Sequence, residues 1–167
     1  MAASSLPALE PDIRFEHLPD SEHSLEFSFA AKKEALGPHI CARWHWDEAY
    51  QREVHHARFS EKPFFSILQA GHAIGTLSWM ICADHARFGE FYLFKAYQGQ
   101  GLGTRILKHA LAQADALYLP VRLEYLKWNP VGRLYLRHGF RPTHETDIHV
   151  FLERPATLRR SLIKTKE

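Results

Sequence analysis

The feature that most constrains this chain is a set of alternating glycines, Gly99, Gly101 and Gly103, interleaved with Gln98 and Gln100. A predicted strand, residues 87–94, precedes this set, and the apolar residues after it recur at helical spacing. The pattern predicts a sharp passage from a strand into a helix. Glycine lets a backbone approach a ligand closely, and the first N–H groups of a helix are free donors at the positive end of its dipole. A phosphate is their natural partner.

Two common phosphate-binding motifs are excluded by the residues present. A dinucleotide fingerprint needs a glycine three residues after Gly101, where this chain has Thr104. The nucleotide-triphosphate loop needs Gly-x-x-x-x-Gly-Lys followed by Ser or Thr, and the chain has no such string. The glycine run therefore points to another phosphate compound.

The rest of the chain predicts one α/β domain. Gly37-Pro38 is expected to end the first helix, and Asn129-Pro130 is a helix-start signal whose helix ends at Gly139. This order favours a mixed, largely antiparallel central sheet flanked by helices. The expected strands cover residues 13–18, 64–69, 73–82, 87–94, 121–126 and part of 140–152, and the expected helices cover 24–36, 44–59 and 103–119.

Composition limits the function classes. The 167 residues are 46% hydrophobic and 13% aromatic, enough for one sizeable core. The formal net charge is only +2, which argues against nucleic acid as a partner, and no apolar run is long enough to span a membrane. Two distant cysteines, Cys41 and Cys82, fit a reducing, cytoplasmic location. We expect a flexible leader over residues 1–11, a domain over 12–154 and a basic tail over 155–167.

A second block of residues supports the interpretation of the glycine run as a phosphate-binding segment. Gln98-Gly99-Gln100-Gly101-Leu102-Gly103 matches the pattern Gln/Arg-x-x-Gly-x-Gly/Ala, and Asn129 is followed by Tyr135-Leu136-Arg137-His138-Gly139-Phe140. Together, in this order, the two blocks resemble the GNAT superfamily of acetyl-CoA-dependent N-acetyltransferases. The resemblance covers about residues 74–154 and implies the acyl-CoA N-acyltransferase fold. It implies an acyltransferase that moves acetyl from acetyl-CoA directly to an amine, without a metal.

The resemblance also implies donor-binding residues. Backbone groups on the strand before the glycine run would pair with the pantetheine arm of CoA, and the run itself would hold the pyrophosphate. Asn129 would contact CoA, cap a helix, or do both. The implied donor residues are Phe91, Tyr92, Leu93, Gln98, Gly99, Gln100, Gly101, Leu102, Gly103, Thr104 and Asn129.

Acetyl transfer to an amine needs an uncharged nucleophile, a stabilised oxyanion and a proton for the departing thiolate. Tyr135 occupies the family's usual general-acid position, although it could merely pack on a buried helical face. Glu124 and Glu90 are the candidates for the base, with a solvated charge or an arginine partner as the alternative for each. The sequence leaves open which glutamate acts.

The acceptor pocket of the resembled fold comes from the first two helices and the closing strands. Here that region supplies Trp44, Trp46 and Tyr50, beside His45 and the acidic pair Asp47-Glu48. Aromatic faces and carboxylates could receive a cationic amine. Equally, the two tryptophans could anchor the helix to the sheet.

The histidines offer a weaker alternative. The best local sets are His55-His56 and the pair His144 and His149, but no His-Glu-x-x-His pattern occurs and adjacent helical histidines point in different directions. We expect no metal. The expected partner is a small-molecule or peptide amine, the resemblance allows a homodimer, and the acceptor is not identified. The competing hypotheses are a non-catalytic acyl-CoA-binding module, a transferase for a larger acyl group and a nucleic-acid-binding domain.

Overall fold

The computed structural model describes residues 5–157. Its strands follow chain order across the central sheet except at one edge. The strands are β1 (Ile13–His17), β2 (Phe64–Gln69), β3 (His72–Ile81), β4 (Ala86–Leu93), β5 (Val121–Leu126), β6 (Arg141–Glu145) and β7 (His149–Arg154). The helices are α1 (Glu22–Cys41), α2 (Glu48–Glu61), α3 (Leu102–Ala116) and α4 (Gly132–Arg137), with a short 3-10 turn at Lys95–Tyr97.

Within the described range, these strands form one seven-stranded sheet in the order β1-β2-β3-β4-β5-β7-β6. Every neighbouring pair is antiparallel except β4 and β5, which are parallel. That pairing involves only Ala86 with Val121 and Arg87 with Arg122. The two strands therefore separate beyond Arg87 and open a cleft in the middle of the sheet. The predicted mixed, largely antiparallel α/β fold is confirmed.

A β-bulge shapes the strand that borders this cleft. Ser78 pairs with Gly89 and Thr76 pairs with Tyr92, so Glu90 and Phe91 together oppose a single residue of β3. Glu90 has φ 45°, a left-handed conformation that costs a non-glycine residue energy. The Thr76 hydroxyl supports it by donating to the Glu90 carbonyl at 3.1 Å.

The bulge decides which side chains of β4 share a face. Phe88 and Phe91 are three residues apart, yet their rings pack edge to face at 5.2 Å within the main core. Tyr92 instead packs on the opposite side, against a smaller apolar cluster that includes Leu36 and Leu126. Glu90 joins Tyr92 there, since the Tyr92 hydroxyl donates to its carboxylate. A strictly alternating strand would have placed Phe88 and Glu90 on one face.

The two N-terminal helices differ from the prediction. Helix α1 does not end at Gly37-Pro38 but continues to Cys41. Pro38 can adopt helical φ and removes only one backbone donor, and the burial of Leu36 and Ile40 on either side of it stabilises the longer helix. Helix α2 begins at Glu48 rather than at residue 44, because the side chain of Asp47 caps it by accepting from the Tyr50 N–H at 3.0 Å.

The turn between β2 and β3 fits its sequence signal. Ala70 and Gly71 both have positive φ, 48° and 83°, as a two-residue hairpin of the favoured twist requires. Strands β2 and β5 coincide with their predicted ranges, and α3 begins and ends within a few residues of its prediction. Local patterns thus located most elements of the sheet.

The described part of the N-terminal segment packs onto the domain. Leu6 is 4% exposed and belongs to the main core, and the Pro7 carbonyl lies 2.7 Å from a ring nitrogen of His109. From Leu6 onward, the segment is therefore not the loose leader that its composition predicts. Residues 1–4 and most of the predicted basic tail, 158–167, lie outside the described residues. No helix between residues 5 and 157 has the length and apolar character needed to cross a bilayer.

We expect Gly75→Ala to destabilise the domain by at least about 2 kcal/mol. A Cβ at Gly75 would lie 2.1 Å from the Tyr92 carbonyl oxygen, an atom of the neighbouring strand's backbone that cannot move without opening the sheet. The matched control is Gly89→Ala on β4, where an added Cβ meets nothing within 4 Å. Urea unfolding of both variants tests this, and equal stability of the two would contradict it.

Candidate active site

The cleft between β4 and β5 opens into a cavity of about 820 Å³. Its lining residues come mostly from α1, α2 and α4 and from strands β4, β5, β6 and β7. Three predicted catalytic residues, Tyr135, Glu124 and Glu90, line this single cavity. The fold therefore brings together side chains that are up to 45 positions apart in the sequence.

The glycine run forms the turn that the sequence predicts. Gly99 and Gly101 have φ 72° and 78°, which favour glycine, and an added Cβ at either would meet nothing within 4 Å. Their backbone is therefore open to a ligand. Gly101 caps α3, whose first N–H groups, those of Leu102, Gly103 and Thr104, have no acceptor within the helix.

The two glutamines of the run brace it. The Gln98 amide donates to the Leu93 carbonyl and the Gln100 amide donates to the Ala96 carbonyl, both at 2.8 Å. These bonds leave the backbone donors of the run, rather than these side chains, as its ligand-binding groups. A Cβ at Gly103 would lie 3.9 Å from the ring of Phe91, which lines the cavity. Phe91 thus connects the run to the cleft.

Strand β4, which precedes the glycine run, has one free edge. From Phe88 onward, β4 has no pairing with β5, while its other edge stays bonded to β3. Phe91 and Tyr92 line the cavity here, and Leu93 follows them at the end of the strand. The geometry can therefore accept an extended, hydrogen-bonding ligand arm beside β4. A free strand edge whose Phe91 packs near the N-terminus of α3 is compatible with a ligand that carries both an extended arm and a phosphate group.

Tyr135 is buried at the base of the cleft. Its ring contacts those of Phe88, Tyr125 and Phe140, and its residue is 5% exposed. Burial, and secondarily Tyr125, raises the pKa of Tyr135 well above its usual range. The phenol is therefore protonated throughout the physiological range. Packing and proton donation, which the sequence offered as alternatives, are compatible here.

Glu90 is held as an ion by two cations. Its Oε1 lies 3.0 Å from Arg58 Nη1 and 3.0 Å from Lys62 Nζ, and its Oε2 accepts from the Tyr92 hydroxyl at 3.2 Å. Burial alone would raise its pKa, but Lys62 and Arg58 outweigh burial and lower the pKa of Glu90 to about 2. A carboxylate this acidic is a poor proton acceptor near neutral pH. The geometry corresponds to the structural alternative for Glu90, a partner to an arginine.

Glu124 is more available. Its side chain is 25% exposed, and its nearest ion-pair contact is Arg58 at 3.7 Å. It projects from β5 on the far side of the cleft from Glu90 and lines the same cavity. Of the two glutamates, Glu124 is the more exposed and has the fewer and longer ion-pair contacts.

Asn129 does cap the backbone at the end of β5. Its Oδ1 accepts from the Val131 N–H at 3.0 Å, and α4 then begins at Gly132. Asn129 also lines the cavity, and the capping bond uses only its amide oxygen. An added Cβ at Gly132 would lie 2.5 Å from the Tyr125 hydroxyl, so a larger residue here would displace the Tyr125 side chain.

The predicted acceptor wall is only partly correct. Trp44 and Tyr50 line the cavity, 42% and 58% exposed. Trp46 does not; it packs against Phe29, and a Cβ at Gly37 would lie 3.7 Å from its ring. Trp46 therefore anchors the helix pair.

The acidic pair is also turned away from the cavity. Asp47 caps α2, and Glu48 accepts from Lys33 Nζ at 2.8 Å and from Trp46 Nε1 at 2.7 Å. These two hydrogen bonds lower the pKa of Glu48 to about 2. Neither carboxylate is free to receive a cationic amine, so that expectation is corrected.

Sequence reasoning missed the basic residues that line the cavity. Those missed are Lys32 on α1, Arg58 and Lys62 at the end of α2, Arg87 on β4 and Arg122 on β5. His149 on β7, considered from the sequence only as a metal ligand, also lines the cavity. Arg58 and Lys62 stand four residues apart, which places both on one face of a helix. This spacing was the one sequence signal that could have indicated a basic wall. Burial lowers the pKa of His149, so its imidazole is neutral near pH 7.

The histidine pairs do not assemble a metal site. His55 is 2% exposed, lies 2.7 Å from the Ser28 hydroxyl, and has a pKa that burial and Lys32 lower to about 4. His144 stacks on Phe151 with ring centroids 4.2 Å apart. Across the part of the chain that is described, no three His, Cys, Asp or Glu side chains gather as they would around a metal ion.

Comparisons with known proteins agree with this geometry. Residues 60–142 match the sequence profile described as an acetyltransferase (GNAT) domain. The fold is similar to the PaiA N-acetyltransferase of Thermoplasma acidophilum, solved in complex with coenzyme A, with a TM-score of 0.64 and 20% identity over 87% of this chain and 99% of that one. No curated protein matches the sequence.

Two further structures show the same fold. The ribosomal-protein-S18-alanine N-acetyltransferase of Escherichia coli has a TM-score of 0.60 and 17% identity over 88% of this chain and 96% of that chain. A GNAT family acetyltransferase of Elizabethkingia anophelis, solved with acetyl-CoA bound, has a TM-score of 0.60 and 12% identity over 87% and 99%.

Proposed function

Because the chain belongs to the GNAT acetyltransferase family and is an acyltransferase, we propose that it transfers acetyl from acetyl-CoA directly to a primary amine of a small molecule, amino-acid derivative or peptide. The observation that supports this most is the single cavity at the β4/β5 cleft. It is lined by Tyr135 and Glu124, and Phe91 joins it to the glycine run.

The donor would occupy the cleft beside β4. The backbone of Phe91, Tyr92 and Leu93 would pair with its pantetheine arm, and the N–H groups of residues 99–104 would bind its pyrophosphate. Acetyl-CoA supplies the acetyl group as an activated thioester. Asn129, which lines the same cavity, would add a contact from the β5 side.

The acceptor would enter from the opposite side of the cavity, past Trp44 and Tyr50. Glu124 would take a proton from the substrate ammonium, so that the amine becomes a nucleophile. Tyr135 would hold a proton at its hydroxyl oxygen for the departing sulfur. Glu90, fixed by Arg58 and Lys62, would position the bulged strand rather than exchange protons.

We expect acetyl-CoA to bind at least about 100-fold more tightly than acetyl-pantetheine, which lacks the pyrophosphate. The reason is that the α3 N-terminus and the open backbone at Gly99 and Gly101 favour an anion, and acetyl-pantetheine carries no phosphate to place there. Isothermal titration with both compounds measures the ratio. Equal affinities would contradict a pyrophosphate role for the glycine run.

The proposed reaction is tested by following thiol release with acetyl-CoA and a panel of diverse amines. Release that depends on an amine supports acetyl transfer, whereas binding of acetyl-CoA without release from any amine would favour the non-catalytic acyl-CoA-binding module. Propionyl-CoA and succinyl-CoA in the same assay determine whether a larger acyl group is used. A higher kcat/KM for either would revise the donor.

A further inference from the structure

Lys32 is a buried cation without a partner. It lies on α1, is 4% exposed and lines the cavity. Over residues 5–157, its ammonium makes neither an ion pair nor a hydrogen bond, whereas the adjacent Lys33 donates to Glu48 at 2.8 Å on the exposed side of the helix. Buried charges are normally paired, so an unpaired one that faces a cavity calls for an explanation.

The buried Glu90 carboxylate is already engaged. Glu90 Oε1 is bound by Arg58 and Lys62, and its Oε2 accepts from Tyr92. Glu124 has Arg58 as its ion-pair contact. Over the described residues, the cavity is lined by five Lys and Arg side chains, those of Lys32, Arg58, Lys62, Arg87 and Arg122, and by three carboxylates, those of Glu90, Glu124 and Glu153. Arg122 pairs with Glu153 and Arg87 is exposed, so Lys32 is the buried cation of this set that has no ion pair.

The positive charge of Lys32 is not fully removed by loss of its proton. Burial lowers the pKa of Lys32 to about 8; Glu90 opposes that shift, and Arg58 and Lys62 add to it. A pKa of about 8 leaves the side chain mostly ammonium at pH 7. An anionic group on a ligand would stabilise it by supplying the missing partner.

The opposite wall carries the complementary charge. Glu124 projects from β5 into the same cavity, with its side chain 25% exposed. The cavity thus presents an unpaired ammonium from α1 and an available carboxylate from β5. A ligand that carries both a carboxylate and an amine matches both groups, with its amine beside Glu124.

We propose that Lys32 binds a carboxylate of the acceptor, so that the substrate is an amine that also carries a carboxylate, of the amino-acid class. This inference rests on the proposed acetyl transfer. It names Lys32 as a specificity-determining residue and leaves proton transfer to Glu124 and Tyr135.

The test compares the twenty standard amino acids with their carboxamides, each with the full-length protein and saturating CoA for binding or acetyl-CoA for thiol release. We expect at least one amino acid to be preferred over its carboxamide by roughly 10- to 100-fold in Kd and kcat/KM. Lys32→Met should remove that preference by weakening only the acid. Lys32→Arg, which keeps the charge, should retain part of it.

The matched control is Lys33→Met, which removes the adjacent, exposed lysine and should leave the preference unchanged. Thermal unfolding verifies that each variant is folded, and Lys32→Met loses no ion pair. The inference is overturned if carboxamides bind as well as acids, if Lys32→Met keeps the preference, or if it weakens acids and amides equally, as a proton-transfer or packing role would.

The binding and turnover measurements separate this inference from the proposed function. Binding of an acid that depends on Lys32, with no thiol release, would support the carboxylate site and contradict acetyl transfer to that amine. Thiol release from carboxamides alone would support acetyl transfer and overturn the carboxylate site. The absence of binding by any amino acid would also overturn it.

Discussion

Replacing Tyr135 with phenylalanine lowers kcat for thiol release by about 100- to 10,000-fold while the Kd of acetyl-CoA stays nearly unchanged. The substitution removes one oxygen and keeps the ring that packs against Phe88, Tyr125 and Phe140. Since burial raises the pKa of Tyr135, the wild-type phenol stays protonated, and its deprotonation causes no loss of rate between pH 6 and 9. Steady-state kinetics and isothermal titration measure the two quantities.

Tyr125→Phe is the control for this prediction. Tyr125 also lines the cavity, and its ring centroid lies 6.0 Å from that of Tyr135, but no catalytic role is assigned to its hydroxyl. We expect less than about a tenfold change in kcat for this variant. An unchanged kcat in Tyr135→Phe would remove Tyr135 from the acid role and leave it as a packing residue.

Glu90→Gln destabilises the domain by about 3 to 5 kcal/mol. The amide cannot compensate Arg58 and Lys62, each 3.0 Å from the native carboxylate, and Lys32 adds a third cation nearby. Urea unfolding measures the loss. Adding Lys32→Met to this variant should restore part of the stability, because it removes one of the uncompensated charges.

The pH dependence of the free energy of unfolding gives a second measurement of what the Glu90 ion pairs contribute to stability. The folded-state pKa of Glu90 is about 2, below its ordinary value of 4.5, so its contribution is present above pH 4.5 and is lost as the pH falls toward 2. Glu90→Gln should lose less stability over that interval than the wild type. Identical acid sensitivity would contradict the ion-pair role.

We expect Glu124, unlike Glu90, to contribute to the rate of transfer rather than to stability. Glu124→Gln is expected to cost less than about 1 kcal/mol of stability, because its contact with Arg58 is 3.7 Å long and partly exposed. Its kcat/KM should fall by about 100-fold at neutral pH and recover as the pH approaches the pKa of the amine. If Glu90→Gln kept its stability and lost only rate, the two assignments would have to be exchanged.

Local sequence patterns predicted the elements but not every boundary. Alternation predicted β5, and the turn signal at Ala70 and Gly71, whose positive φ values fit a hairpin, marked the end of β2. Gly37-Pro38 failed as a helix end, since Leu36 and Ile40 are buried on either side of it. Packing of these side chains against other elements outweighed the local cost of glycine and proline.

The bulge in β4 lay beyond sequence reasoning for a similar reason. Nothing in the local pattern requires Glu90 to adopt φ 45°. The conformation is held by a hydrogen bond from Thr76 on the neighbouring strand and by the cations of α2, which are 14 or more positions away. Glu90 therefore looked like a candidate base until its partners were known.

The sequence by itself determined the backbone geometry of the proposed donor half of the site, because that half is local. The positive-φ glycines and the first turn of α3 are contiguous, and their free backbone donors follow from chain geometry alone. Only the tertiary structure decided the acceptor half. Lys32, Arg58, Glu124 and His149 come from four separate elements, and whether each charge is paired or free depends on which of the others it meets.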